Sequence, residues 1–84
     1  MKVYYITFRS VTYAQRGERV LNRAGIGCVI HRTPKWMEEQ GCGYSLRLRA
    51  DSADAALRTL QQAGVTWRKV YLQGRNGQLE EWMK

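Results

Sequence analysis

Arg19-Val20-Leu21-Asn22-Arg23-Ala24-Gly25-Ile26 and, 39 residues further on, Arg58-Thr59-Leu60-Gln61-Gln62-Ala63-Gly64-Val65 are two copies of one pattern. Each sets leucine, alanine and glycine in the same places and follows them with a β-branched residue. The glycine reads as a left-handed helix stop, and the β-branched residue after it as the approach to a strand. Two helices that end alike imply two βαβ halves. Six elements in the order βαββαβ make an α+β, ferredoxin-like arrangement. Right-handed crossovers then place both helices on one face of a four-stranded antiparallel sheet and leave the other face open.

Outward from this pair the remaining elements fall into place. Val3-Tyr4-Tyr5-Ile6-Thr7-Phe8 is β-branched and aromatic throughout, as a central strand is. Ser10 stands where a helix N-cap belongs, and Val11, Ala14, Gly17 or Glu18, Leu21 and Ala24 recur at helical spacing. Gly17 costs the helix about 1 kcal/mol against alanine, and the reading that offsets this is a close approach of helix to sheet. Ile26 to Arg32 reads as the second strand. Tyr44 to Arg49 reads as the third, with Tyr44, Leu46 and Leu48 inward and Ser45, Arg47 and Arg49 outward. Asp51 or Ser52 should cap a second helix with the face Ala53, Ala56, Leu57, Leu60 and Ala63. Thr66 to Leu72 is the fourth strand. In the tail, Asn76-Gly77 fits a hairpin turn, or Asn76 caps a short helix burying Leu79, Trp82 and Met83.

The whole chain, 84 residues, makes one domain: a core of about residues 1–72 and an extension over 73–84. It is 44% hydrophobic and 25% charged with a single proline, a globular rather than a disordered composition. No apolar run approaches the ~18 residues of a membrane span, and the opening MKVYYITFRS has no signal-peptide pattern. Two cysteines make no disulfide scaffold, so the expected setting is the reducing cytoplasm.

Fourteen Lys and Arg against seven Asp and Glu give a net charge of +7. The excess is concentrated before residue 36, where Lys2, Arg9, Arg16, Arg19, Arg23, Arg32 and Lys35 face Glu18 alone. Such a half suits an anionic partner. Arg16, Arg19 and Arg23 form a stripe at i, i+3 and i+7 on the first helix, fit to dock an acidic protein or simply to be solvated. The open sheet face is expected to show Tyr5, His31, Arg47, Arg49, Trp67, Lys69 and Tyr71. That set resembles a platform for stacking bases and holding phosphate. It is equally a face for homodimerisation or for cover by the tail. The RNA-recognition signature is absent: Gly43-Tyr44-Ser45-Leu46-Arg47-Leu48 keeps only a Gly-aromatic pair.

Catalytic chemistry finds little footing. Cys28, His31 and Cys42 are three ligands where a structural zinc site wants four, and residues three apart on a strand point to opposite faces. No nucleophile–base–orienter trio and no phosphate-cradling glycine loop is present, so neither an enzyme, a metal nor a cofactor is expected. Cys28 alternates with Ile26 and Ile30 as a small buried hydrophobe would. Cys42 sits between Gly41 and Gly43, at the end of a long link between the second and third strands. Flanking glycines can aim backbone N–H groups at one sulfur and favour its thiolate. Against this, Thr33 to Gln40 can form a short helix, which would set Cys42 after a helix C-terminus and near Glu38 and Glu39. A Gly-Cys-Gly is also an ordinary turn.

Tyr5-Ile6-Thr7-Phe8-Arg9-Ser10, the helix end Ala24-Gly25-Ile26, Pro34, and Cys42-Gly43 followed by Leu46-Arg47-Leu48 resemble the selenium/sulfur carrier-like family, small stand-alone bacterial proteins. The resemblance covers residues 1 to about 72. It implies a cytoplasmic bacterial protein whose Cys42 accepts sulfur or selenium as a persulfide or selenosulfide, with a donor or acceptor protein as partner. The Cys-Pro-x-Pro of better-understood sulfur-relay carriers is missing: Cys28 precedes Val29-Ile30-His31, and Cys42 precedes Gly43-Tyr44-Ser45.

Overall fold

Both helix stops form as the repeated octapeptide requires. The computed structural model describes residues 3–32, 43–73 and 79–81, and for residues 50 and 79–81 the backbone alone. In the first stop the Gly25 N–H donates to the Asn22 carbonyl and the Ile26 N–H to the Leu21 carbonyl, at 3.1 and 2.9 Å. In the second, Gly64 donates to Gln61 and Val65 to Leu60 at the same two distances. Gly25 and Gly64 have φ of 83° and 75°, where a side chain would be strained. This paired bonding closes the last carbonyls of each helix and turns the chain back toward the sheet.

The elements run β1 (Val3–Thr7), α1 (Val11–Arg23), β2 (Cys28–Arg32), β3 (Tyr44–Arg49), a 3-10 turn (Ala50–Ser52), α2 (Ala53–Gln62), β4 (Val70–Gln73) and β5 (Leu79–Glu81). The first four strands lie in the order β2-β3-β1-β4, each antiparallel to its neighbour, the α+β ferredoxin-like arrangement. Beyond them β5 pairs with β4, Gln73 opposite Leu79 and Tyr71 opposite Glu81, so the sheet has five strands rather than four. A strand at Leu79–Glu81 excludes the helical alternative for the tail. The turn at Asn76-Gly77 falls outside the described residues, as do Trp82 and Met83.

Ile6, Phe8, Leu46, Leu48 and Val70 from the sheet meet Ala14 and Leu21 of α1 and Ala56, Leu57 and Leu60 of α2 in one buried cluster. Ser10 caps α1 by accepting from the Tyr13 N–H at 3.3 Å. Ser52 makes no such bond: the 3-10 turn already holds it in a right-handed helical conformation, whereas a cap needs extended backbone.

Two strands begin later than their composition suggests. The Ile26 N–H is committed to the helix stop, and pairing of β2 starts at Cys28. Val65 is tied in the same way. The Arg68 N–H then donates to the Thr7 carbonyl, the Lys69 N–H to Thr7 Oγ1, and the Thr7 N–H to the Lys69 carbonyl. This knot anchors the chain to the end of β1, and the regular strand β4 begins only at Val70.

Candidate functional site

Gly43 is buried and left-handed, with φ of 84°, immediately before β3. It leads the chain into the sheet at the end where β1 finishes, β2 finishes and the Thr7 knot ties in the approach to β4. Gly41 and Cys42, and the helical expectation for Thr33 to Gln40, lie outside the described residues.

Cys28 belongs to the other end. It pairs with Leu48, five residues of extended chain from Gly43, roughly 16 Å. Cys28 is a free thiol. Cys28 is half-buried rather than sealed in the core. Its Sγ lies 4.0 Å from the Glu18 carbonyl oxygen and 4.0 Å from Asn22 Oδ1. Burial, with the Glu18 charge as a lesser cause, pushes the thiol up to about 11. It is therefore almost wholly protonated near neutral pH. The thiol borders a shallow cleft of about 430 Å³ that wraps the start of β2 and is walled by Asn22, Val29, Arg47 and Arg49.

The open face is less of a platform than its sequence promises. Pairing does align Tyr5 with Arg47 and Tyr71, Arg47 with Val29, and His31 with Ser45. Arg47, Arg49 and His31 are exposed, and Arg49 makes a 3.6 Å ion pair with Asp51. Tyr71, however, is only 6% exposed, and Tyr5 is half-buried with its hydroxyl donating to Gln73 Oε1 at 3.3 Å. Trp67 is not on this face. It precedes β4, so strand alternation does not reach it, and it packs against the core cluster on the helix side. Lys69 is half-buried in the Thr7 knot. Ser45, read as an outward residue, has no exposed surface, and among the described residues its hydroxyl has no hydrogen-bond partner. Val29, 55% exposed, is the most exposed large hydrophobic side chain among the described residues. Few ring faces remain for bases to stack on.

On α1 the arginine stripe is as expected: Arg16, Arg19 and Arg23 are all exposed. Among the described residues, no group of three His, Cys, Asp or Glu side chains converges to hold a metal ion. No helix there is long and apolar enough to cross a membrane.

The family profile described as "Putative Se/S carrier protein-like" matches residues 3–72. The chain belongs to this family. Searches of the curated proteins and of the solved structures returned no significant match. The matched span runs from the first residue of β1 to the third of β4, takes in the link with Cys42, and stops short of β5. Within this carrier-like chain the topology gathers basic residues whose proximity sequence reading did not foresee. Arg9 follows β1, Arg32 ends β2 and Arg68 precedes β4, all at the Gly43 end. Arg32 stacks over the Tyr44 ring, 5.7 Å from its centroid. No sequence signal marks the three as neighbours, because they come from separate segments and only the strand order brings them together.

Proposed function

We propose that the protein is a small sulfur or selenium carrier, not an enzyme in its own right, with Cys42 as the acceptor thiol. The observation that carries this reading is membership of the carrier-like family over a span that includes Cys42. The other thiol is poorly suited to the role: Cys28 is half-buried, raised to about 11 and roughly 16 Å from the Gly43 end. In the loading step the Cys42 thiolate attacks the outer sulfur of a donor persulfide. A new S–S bond forms at Cys42, the donor's own S–S bond breaks, and the donor thiolate leaves with the electron pair. Unloading is the same exchange onto an acceptor thiolate, and the selenium version replaces the outer sulfur. No external oxidant or reductant is needed in either direction. A carrier of this kind requires a reachable thiol, a reducing compartment such as the cytoplasm, and a protein partner.

Intact mass spectrometry of protein purified anaerobically from its native cells tests the assignment. The expected result is an increment of one sulfur or one selenium atom, removed by a thiol reductant, absent from Cys42→Ser and retained in Cys28→Ser. An increment that persists in Cys42→Ser, or none in cells supplied with both elements, would overturn it.

A further inference from the structure

The cleft at the start of β2 is open because residue 27 has no side chain. Gly27 lies outside the left-handed region that Gly25 occupies, and a Cβ built on it would meet nothing within 4 Å. Neither backbone nor packing therefore asks for glycine here. The space it leaves belongs to a cavity of about 430 Å³, with hydrocarbon walls from Val3, Val29 and Leu48. Two guanidinium groups stand at its rim on β3, Arg47 opposite Val29 and Arg49 opposite Val3, two residues and so roughly 7 Å apart. They are not equivalent. Arg49 holds Asp51, whereas Arg47 is exposed and makes no ion pair among the described residues. On the α1 side the cleft ends at the Asn22 amide and the Cys28 thiol. That thiol, pushed up to about 11, carries no charge near neutral pH.

We propose that this cleft binds a small organic monocarboxylate, with its carboxylate on the Arg47 guanidinium and its apolar body across Gly27. The charges around the cleft select both the class of ligand and its orientation. One unpaired guanidinium matches one carboxylate, which it can grip with two parallel N–H donors. A phosphate dianion would call on Arg49 as well, and Asp51 already holds that group. The Glu18 charge acts on the Cys28 thiol, so it repels an anionic head from the α1 side and leaves that side to the uncharged body. Val3, Val29 and Leu48 then cover hydrocarbon. The volume is adequate, since ligand cavities begin near ~300 Å³. Binding here draws on no step of the carrier chemistry.

The test titrates the full chain with 4-methylpentanoate and follows amide chemical shifts. The expected Kd is about 1 mM, on the scale open to a ligand of about eight non-hydrogen atoms, with shifts clustered at Asn22, Gly27, Cys28 and Arg47. Gly27→Val adds a side chain where the fold has room for one, so the protein should stay folded while binding falls at least about ten-fold. Arg47→Gln should weaken the acid about five- to ten-fold and leave the uncharged 4-methylpentanamide unaffected. Arg58→Gln removes the same charge from the exposed surface of α2 and should change either affinity less than about two-fold. At about nine times its Kd the acid should slow Cys28 alkylation about ten-fold by covering the thiol. No saturable shift by about 20 mM, some twenty times the expected Kd, would overturn the assignment. So would full binding by Gly27→Val, equal losses in Arg47→Gln and Arg58→Gln, an amide that binds as tightly as the acid, inorganic phosphate that competes as well as the acid, or unchanged Cys28 labelling at saturation.

Discussion

Alkylation with iodoacetamide across pH 7–11 should separate the two cysteines, and the structure sets the size of the gap for Cys28. Its thiol is pushed up to about 11, by burial first and by the Glu18 charge second. At pH 8 about one molecule in 1,000 would then carry a Cys28 thiolate, against about one in four for an ordinary thiol near 8.5. That is a deficit of roughly 240-fold. A thiolate of higher pKa is the better nucleophile, and a Brønsted slope of 0.4–0.5 over ~2.5 units returns about 10- to 18-fold. Cys28 should therefore react about 15- to 25-fold more slowly than an ordinary thiol at pH 8, before any slowing from its half-buried position. Its rate should climb about ten-fold per pH unit to pH 10, whereas Cys42, acting as a carrier thiol, should level off at or below the ordinary value. Peptide mapping of quenched aliquots reads both sites in one experiment. Glu18→Gln should lower the Cys28 midpoint by the lesser part of its displacement. A Cys28 midpoint within about half a unit of 8.5 would refute the burial argument. Cys42 labelling no faster than Cys28 would refute the carrier role.

Other outcomes follow from packing. A Cβ at Gly17 would meet Leu46 Cδ1 and Phe8 Cζ at 3.2 Å and Leu60 Cδ2 at 3.4 Å. Gly17→Ala gains about 1 kcal/mol of helix propensity but overpacks by ~1–3 kcal/mol, for a net loss of about 1 kcal/mol in urea unfolding. A clear gain would show slack at this contact. Ser45→Ala removes a buried hydroxyl without a partner among the described residues and should stabilise by about 1 kcal/mol, whereas a loss would reveal an acceptor or donor there. Trp67→Ala should cost about 2 kcal/mol of stability as a core-packed side chain, and an unchanged midpoint would return Trp67 to the surface. Thermodynamic linkage at Cys28 runs one way. Its raised thiol leaves stability untouched below the ordinary thiol range, and stability is then lost as pH rises toward about 11, because the unfolded chain ionises first. Cys28→Ala should flatten that alkaline fall.

The architecture was legible because its punctuation is local. An octapeptide contains everything a helix stop needs, and the alternation in Tyr44–Arg49 names the inward residues without help from the rest of the chain. What escaped depends on distant partners. Nothing near Thr66 announces that Arg68 and Lys69 will bond to Thr7, and that knot is what displaces the start of β4 and turns Trp67 to the core. Ser45 reads as an outward polar residue, and its burial comes from its surroundings in the fold. In the tail, Asn76 suits a cap and a turn alike, and only pairing with β4 shows that Leu79–Glu81 is a strand. Of the candidate site, Cys42 was singled out from Gly41-Cys42-Gly43 and the family resemblance, and it lies outside the described residues. That Arg9, Arg32 and Arg68 meet at one end of the sheet became visible only once four strands were ordered.

One register in the sheet bears on how freely this chain could be rearranged. Val3 lies directly opposite Gln73, so the two ends of the βαββαβ unit are cross-strand neighbours that a linker of two or three residues could join. A chain reopened within 33–42 would then read β3, α2, β4, β1, α1, β2, which is the same alternation of elements with the halves exchanged. Because each half brings its own Leu-x-x-Ala-Gly stop, neither depends on preceding the other. Circular permutation would leave the three-dimensional order of strands unchanged while converting the thiol-bearing link from an internal connection into a pair of chain ends.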